Sequence, residues 1–286
     1  MYFSKEYPIR LHITVPVPVS SRLKDAIKRV LPRRAIYFYR LLRDREDALQ
    51  VLAFLRKTFP MMRFPDKLLL VDRIYRISDS IECPHTQAEI LQFIDSILSL
   101  KTEQPGVIVE AGCYKGGSTA KFSLATAHVG RTLLVFDSFE GIPAHNEEHD
   151  RNIFGESVGF PQGSYCGDLH EVRENVQHYG NVHACKFYKG WFAETLPTLD
   201  VPVAAAYLDV DLASSTYTCL KHIYPLLIPR GEIFSQDGHL PLVIDVFRNQ
   251  EFWYEELGCP PPDVEGLGHR KLIRLQKPAL GDNPAM

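Results

Sequence analysis

The sequence contains no long apolar run and no start that resembles a signal peptide. Nowhere in its 286 residues is there an unbroken apolar stretch of ~18 residues, the length that a membrane-spanning helix needs. Its six cysteines form no C-x-x-C pair, which argues against a structural zinc site and a disulfide framework. We therefore expect a cytoplasmic protein with reduced thiols and no membrane span.

Charge is distributed unevenly along the chain. Residues 1–75 contain 16 Lys and Arg against 7 Asp and Glu, although the net charge of the whole chain is only -3. The basic segment at 22–45 could meet an anionic lipid surface, a carrier protein or nucleic acid. Because acidic and apolar residues are interleaved with it, a solvated helical face is the simpler interpretation, and we do not expect nucleic acid as a partner.

The pattern of apolar residues changes near residue 80. We interpret 1–80 as a helical extension that could cap a pocket or form a homodimer contact, 81–277 as an α/β domain, and 278–286 as a loose tail. Thr86 and Glu89 form a capping box that predicts a helix start. Short apolar runs then alternate with helix-length segments, at 107–111, 132–136, 183–188, 204–210 and 232–236. This alternation predicts a doubly wound, mostly parallel, Rossmann-like sheet, with 269–277 as an added edge strand.

Ligands of such sheets bind beyond the carboxyl ends of the strands, so the residues at those ends are the candidates for a site. The glycine-rich turn around Gly112, followed by Ser118 at a helix start, suits an anionic group. Asp137 stands where a carboxylate can accept hydrogen bonds from a ribose, although it could equally form a turn. Trp191 could stack on a purine or belong to the core. The glycine turn alone would also allow a dinucleotide oxidoreductase.

The last two strand ends carry carboxylates and a histidine. Asp209 and Asp237 could share a divalent cation such as Mg²⁺, which would lower the pKa of an acceptor hydroxyl. Without a metal, Asp209 or His239 could still orient that hydroxyl. We expect Asp211 to cap the helix that follows it.

A long irregular segment separates Asp137 from Asp168. Segments of this length often act as lids, and a lid here would exclude water from the site. It contains His145 and His149, either of which could serve as the catalytic base, because an imidazole titrates near neutral pH. The alternative is a solvated, acidic loop.

Several ordered segments carry a family resemblance, among them VEAGCYKGGST, FDSFEGIP, YKGWFAETLP, LDVDLASSTYTCL and PRGEIFSQDG. With these segments, the chain from about Thr86 to about Arg248 resembles the macrocin O-methyltransferase family. The resemblance implies a class I methyltransferase fold, S-adenosylmethionine as cofactor, and O-methylation of a small-molecule hydroxyl on a sugar or polyketide natural product. The glycine loop is also similar to that of catechol O-methyltransferase.

The resemblance also implies roles for individual residues. Those implied at the cofactor are Glu110, Gly112, Tyr114 and Ser118 near its methionine end, Asp137 and the adjacent Ser138 near its ribose, and Gly190, Trp191 and Phe192 near its adenine. The implied Mg²⁺ ligands are Asp209, Asp237 and the residue before it, where Gln236 replaces the usual aspartate. Losing that charge weakens cation binding. Gln236 therefore leaves open a catalytically degenerate, ligand-binding relative as the alternative.

Overall fold

The computed structural model describes residues 45–279 of the chain. Residues 1–44 of the predicted helical extension, which include the basic segment at 22–45 apart from Arg45, and the part of the predicted tail after residue 279 lie outside the described residues. In the described range the strands are β1 Val107–Ala111, β2 Leu133–Asp137, β3 Cys185–Lys189, β4 Val203–Leu208, β5 Leu227–Ser235, β6 Val264–Glu265 and β7 Ile273–Gln276.

These strands form one sheet in the order β3-β2-β1-β4-β5-β7-β6. β1 to β5 are parallel to one another, and β7 runs antiparallel to β5. The predicted, mostly parallel α/β sheet is therefore confirmed. One detail differs, because β7 is not the edge of the sheet: the two-residue β6 pairs with its outer side.

The strands are connected by helices whose ends follow local sequence signals. The helices are α1 Arg45–Arg56, α2 Phe64–Ser80, α3 Gln87–Ser99, α4 Gly117–His128, α5 Leu169–Tyr179, α6 Phe192–Thr195, α7 Ala213–Ile223 and α8 Pro241–Arg248, with 3₁₀ turns at Val182–Ala184 and Leu196–Thr198 and a π-helical turn at Phe252–Glu256. Thr86 and Glu89 form the expected capping box at the start of α3. Asp168 caps α5 by accepting a hydrogen bond from the His170 N–H. Both helix starts were predictable because their capping side chains are local.

Helices cover both faces of the sheet. On one face α3, α4 and α5 pack successively, and Phe93 and Phe122 contact edge to face at 4.8 Å between ring centroids. On the other face α7 and α8 enclose a core that includes Leu220 and Phe247. All six residues of β4 are buried, as expected for the central strand of a two-sided sheet.

The compact unit that contains the sheet begins at Leu49. It includes α2, which packs against α4, whereas we expected the α/β domain to begin near residue 81. Among the described residues, no helix is both long enough and apolar enough to span a membrane.

Candidate active site

A cavity of about 360 Å³ lies at the carboxyl ends of the parallel strands. Its wall includes Gly112 after β1, Asp137 at the end of β2, Asp209 after β4 and Asp237 after β5. Trp191, two residues after β3, also lines it. The fold thus brings five predicted residues to one cavity, although they are spread over more than 120 positions of the chain.

Gly112 is required by a close approach of two backbones. Its φ is +82°, and a Cβ atom at this position would lie 1.9 Å from the backbone oxygen of Asp209. The Asp209 N–H donates to the oxygen of Ala111 at 2.9 Å, which fixes the approach. A side chain at position 112 would therefore separate the ends of β1 and β4.

Asp137 binds the glycine loop from the neighbouring strand. Its Oδ2 accepts a hydrogen bond from the Cys113 N–H and its Oδ1 accepts one from the Phe139 N–H, both at 2.7 Å. Burial raises the pKa of Asp137, and these backbone donors act in the opposite direction. Asp137 therefore orders the loop and also presents a carboxylate to the cavity.

Glu110 is a fully buried carboxyl group beneath the same loop. Neither of its oxygens makes a hydrogen bond of ordinary geometry with the described residues. Burial raises the pKa of Glu110 to about 8, against the opposing effect of the nearby Ser118 and Thr119 hydroxyls. Because an unpaired buried carboxyl group is costly, a cationic ligand group at this loop would stabilise it.

Three carboxylates meet at the other end of the cavity. Asp209, Asp211 and Asp237 each offer an oxygen atom, and these atoms lie within 4.8 Å of one another. Asp237 Oδ2 accepts hydrogen bonds from the Val210 and Asp211 N–H groups at 3.0 Å each. Burial, followed by the charge of Asp209, raises the pKa of Asp237. We call these three residues the carboxylate triad; its hard oxygen donors fit a divalent cation.

Two basic side chains face the triad. His85, in the turn between α2 and α3, places its Nε2 2.9 Å from Asp209 Oδ2. Burial alone would raise the pKa of Asp209, but His85 first, and then Lys271 and His239, hold it below its ordinary value. Lys271 lines the cavity, and no hydrogen bond or ion pair is found for its ammonium among the described residues. The triad is therefore partly compensated by the chain itself.

The segment at 138–167 forms no helix and closes over one side of the cavity, where its Phe160 and Tyr165 line the wall. Glu147 fastens it to the start of α7, accepting hydrogen bonds from the Ala213 N–H at 2.7 Å and the Ser214 N–H at 2.9 Å. The Ser214 hydroxyl donates to the same carboxylate at 2.5 Å. The segment therefore caps α7 from outside the helix.

A comparison with known families matches residues 87–255 to the family model described as macrocin-O-methyltransferase (TylF). The chain belongs to the macrocin O-methyltransferase family. The match covers more than half of the chain and includes α3, the glycine loop, the triad and all of the parallel strands. The family expected from the sequence segments is therefore confirmed.

Curated relatives in this family support the assignment. A tetracenomycin rhamnosyl 4'-O-methyltransferase from Streptomyces olivaceus is 31% identical over 172 residues, which is 57% of this chain and 64% of that protein. Mycinamicin III 3''-O-methyltransferase from Micromonospora griseorubida is 31% identical over 155 residues, which is 50% of this chain and 59% of that protein. The chain thus spans less than two thirds of the length of these relatives.

Solved structures show the same fold at lower identity. The O-methyltransferase NovP aligns with a TM-score of 0.56 and 22% identity, covering 74% of this chain and 98% of that one. The calicheamicin methyltransferase CalS11 aligns with a TM-score of 0.51 and 20% identity, covering 78% and 96%. The class I methyltransferase fold expected from the sequence is confirmed.

Within this family framework, the structure brings most of the predicted site residues to the cavity. The predicted residues that line it are Gly112, Tyr114, Asp137, Ser138, Trp191, Phe192, Asp209, Asp237 and His239. Glu110, Ser118 and Gly190 do not line it. Glu110 and Ser118 are buried, and the Gly190 N–H donates to the backbone oxygen of Asp137.

The structure separates one expected metal ligand from the other two. The Gln236 side chain is completely buried; its amide nitrogen donates to the Tyr207 hydroxyl, and no hydrogen-bond partner is found for its Oε1 among the described residues. Asp211 lies with Asp209 and Asp237 in the triad. It was expected to cap α7, but the cap position is Leu212, and Asp211 adopts a left-handed φ of +59° that turns its N–H to Asp237.

The two loop histidines are not placed as catalytic bases. His145 Nε2 contacts the Phe160 oxygen at 2.7 Å, and its Nδ1 accepts from the Glu147 N–H at 3.1 Å, so both ring nitrogens are occupied. His149 is 2% exposed and lies 3.2 Å from Glu147. Neither lines the cavity. Both support the loop that Glu147 fastens.

Sequence reasoning did not single out His85, Lys271, Tyr165 or Glu147. His85 lies next to the capping box, where its neighbours gave a complete local explanation of the segment. Lys271 lies just before β7, in a stretch that was interpreted only as a strand. No local pattern indicated that these residues would reach the cavity.

Proposed function

We propose that this chain is an S-adenosylmethionine-dependent O-methyltransferase that methylates a hydroxyl group of a small molecule. The observation that carries the proposal is the single cavity at which Gly112, Asp137 and Trp191 face the carboxylate triad. One end offers a carboxylate and aromatic rings for a nucleoside, and the other offers groups that can orient and deprotonate a hydroxyl.

For the cofactor, we infer that Asp137 binds the ribose and that Trp191 and Phe192 lie against the adenine. Glu110 supports a methionine end at the glycine loop, because the ligand's ammonium group would compensate the charge of a buried carboxyl group that no cation of the described residues pairs with. Ser118, Tyr114 and the other predicted loop residues complete that end. The sulfonium of the cofactor supplies a methyl group that is already activated.

For the acceptor, we infer that its hydroxyl lies beside Asp209. A Mg²⁺ ion held by the triad would supply polarisation that lowers the pKa of that hydroxyl. His85 holds Asp209 Oδ2, so Oδ1 is left to orient the hydroxyl and accept its proton. His239 is the second candidate base, since it lines the cavity.

The remaining work of the site is positioning. The acceptor oxygen attacks the methyl carbon as the carbon–sulfur bond breaks, and the proton passes to the base, giving a methyl ether and S-adenosylhomocysteine. The apolar walls Ile142 and Phe160 help to exclude water. The segment at 138–167, fastened by Glu147, acts as the lid that we expected from its length.

The acceptor class follows from the names of the relatives. The tetracenomycin enzyme acts on a rhamnosyl group, and the mycinamicin enzyme is a 3''-O-methyltransferase. We propose a sugar hydroxyl of a glycosylated or polyketide-type natural product as the acceptor. A homodimer and a cytoplasmic location stay predictions from the sequence.

Two measurements test this proposal. Calorimetry should show binding of S-adenosylhomocysteine and none of NAD; the reverse result would favour a dinucleotide oxidoreductase. Release of S-adenosylhomocysteine from S-adenosylmethionine should then be assayed against a panel of deoxysugar glycosides with free hydroxyls, with Mg²⁺ or with a chelator. Binding without turnover across the panel would instead favour a degenerate relative that only binds its ligand.

A further inference from the structure

The turn between α2 and α3 reaches the active-site cavity from outside the strand-end motifs. Pro84 lines the cavity, and the adjacent His85 side chain is only 2% exposed. Its ring packs edge-on against Tyr207, with centroids 6.0 Å apart and an interplanar angle of 72°. His85 is therefore held rigidly on the side of Asp209 that faces the protein interior.

In the contact with Asp209, the donor and the acceptor can be assigned. Ionised Asp209 can only accept hydrogen bonds, so the 2.9 Å contact between His85 Nε2 and Asp209 Oδ2 requires the hydrogen to be on Nε2. The opposite ring nitrogen, Nδ1, is buried and has no hydrogen-bond partner among the described residues. One imidazole nitrogen is thus committed to Asp209, and the other makes no competing contact.

Asp209 needs such a partner because two other carboxyl groups lie close to its own. Oxygen atoms of Asp211 and Asp237 lie within 4.8 Å of an Asp209 oxygen, and whichever of these two carboxyl groups is ionised repels the charge of Asp209. A fifth of the Asp209 side chain is exposed, so the protein does not enclose the carboxylate on all sides. A hydrogen bond to Oδ2 therefore limits the rotation of the carboxylate.

We propose that His85 is the positioning residue of Asp209: by donating from Nε2 to Oδ2, it holds the carboxylate in the orientation that methyl transfer requires. The proposal rests on the proposed function. It assigns to the turn before α3 a role that the strand-end motifs do not contain. Groups that orient a functional carboxylate or metal ligand typically contribute about 10–100-fold to activity.

A matched pair of substitutions separates the hydrogen bond from packing. The amide of glutamine reaches the position of an imidazole Nε2, whereas the shorter asparagine places its amide near the position of Nδ1. H85Q can therefore still donate to Asp209, and H85N cannot. Both variants replace the ring by a neutral amide, so both lose the packing of the ring. A difference between them therefore reports the hydrogen bond to Asp209.

Turnover should be measured with p-nitrophenyl α-L-rhamnoside as the probe acceptor, and Asp209 should be located in crystal structures with S-adenosylhomocysteine. We expect H85N to lose kcat by at least about 10-fold and H85Q to stay within about 3-fold of the original chain. Binding of S-adenosylhomocysteine and the melting temperature should match between the variants. In the crystals, Asp209 should change rotamer in H85N only.

Two results would overturn the inference. In the first, H85N keeps the kcat of the original chain and Asp209 does not move. In the second, H85N and H85Q lose kcat to the same extent at equal melting temperatures. The Asp209 position in the crystals decides even where the rhamnoside is not turned over. D209N distinguishes a failure of the proposed active site from a failure of the role given to His85. If D209N retains turnover, the proposed site itself is wrong; if D209N is inactive and H85N is not, only the role of His85 is wrong.

Discussion

The two ends of the cavity are built in different ways. The proposed cofactor end comes from short motifs at β1, β2 and β3, and its carboxylate, Asp137, accepts hydrogen bonds from the backbone N–H groups of Cys113 and Phe139. The proposed acceptor end combines Asp209 and Asp237 with His85 and Lys271, which come from distant parts of the chain. Local motifs thus form the end that we assign to the cofactor, whereas long-range packing forms the end that we assign to the acceptor.

The largest expected effect separates the two ends at Asp209. Asp209→Asn removes the proton acceptor while keeping the side-chain shape, so turnover should fall by about 10²–10⁴-fold. The dissociation constant of S-adenosylhomocysteine should change less than about twofold, because Asp137 and Trp191 are untouched. Steady-state kinetics and calorimetry measure the two quantities.

A matched control for this substitution is Asp245→Asn, since Asp245 is exposed on α8. It should leave both turnover and binding as they are. A D209N protein that lost cofactor binding as well would show that the two ends are not separable.

The converse substitution is Asp137→Asn. An amide would direct an N–H toward a backbone N–H of Cys113 or Phe139 and would weaken the ribose contact. Because hydrogen bonds to charged groups contribute about 1.5–3 kcal/mol each, the dissociation constant of S-adenosylhomocysteine should rise by about 100-fold. Asp200→Asn, at an exposed position, is the control. Unchanged affinity in D137N would exclude Asp137 from the cofactor site.

The residues that the sequence predicted belong mostly to the locally encoded strand ends. Buried strands bounded by helices placed Gly112, Asp137 and Asp237 correctly, because strand order determines which strand ends share an edge of the sheet. Gln236 was assigned as a metal ligand because the family resemblance implies a pair of aspartates at 236–237. In the structure its amide nitrogen donates to the Tyr207 hydroxyl, a contact between residues 29 positions apart that no local pattern indicates. Its role as a ligand stays a prediction.

The remaining contacts depend on three-dimensional packing. His85 and Asp209 are separated by 124 positions, and Glu147 and Ser214 by 67. Asp211 reaches the triad only because its backbone adopts a left-handed conformation, which aspartate tolerates better than most residues. Propensity and periodicity do not encode any of these contacts.

Glu110 offers a test at the cofactor end in which stability and binding change in opposite directions. Its pKa is raised from 4.5 to about 8, so above pH 4.5 the unfolded chain releases a proton that the folded chain retains. Stability is therefore lost progressively as the pH rises from 4.5 to 8. Glu110→Gln removes this penalty and should stabilise the ligand-free protein at pH 8 by on the order of 2 kcal/mol, because the buried amide keeps a smaller cost of its own.

Thermal unfolding at pH 5 and pH 8 measures this difference, with the exposed Glu103→Gln as the control. The stabilising effect should be small at pH 5. Affinity for S-adenosylhomocysteine should fall in E110Q, since the ligand's ammonium group loses its charged partner. A variant that is destabilised at both pH values would show that Glu110 has a partner in the folded state.

The smallest expected effect concerns the lid. Glu147→Gln keeps the size of the side chain but replaces one acceptor oxygen by a donor, which opposes the Ala213 or Ser214 N–H. Loss of a helix cap costs about 1 kcal/mol, so the melting temperature should fall by a few degrees. Because the fastened segment carries Phe160 and Tyr165 in the cavity wall, KM for the acceptor should rise while cofactor affinity stays constant.

The adjacent Glu148 is exposed, so Glu148→Gln is the matched control and should change neither the melting temperature nor KM. If E147Q altered kcat but not KM, the lid would influence the chemical step or product release rather than the fit of the acceptor. The segment at 138–167 would then contribute to both ends of the cavity and not to the acceptor end alone.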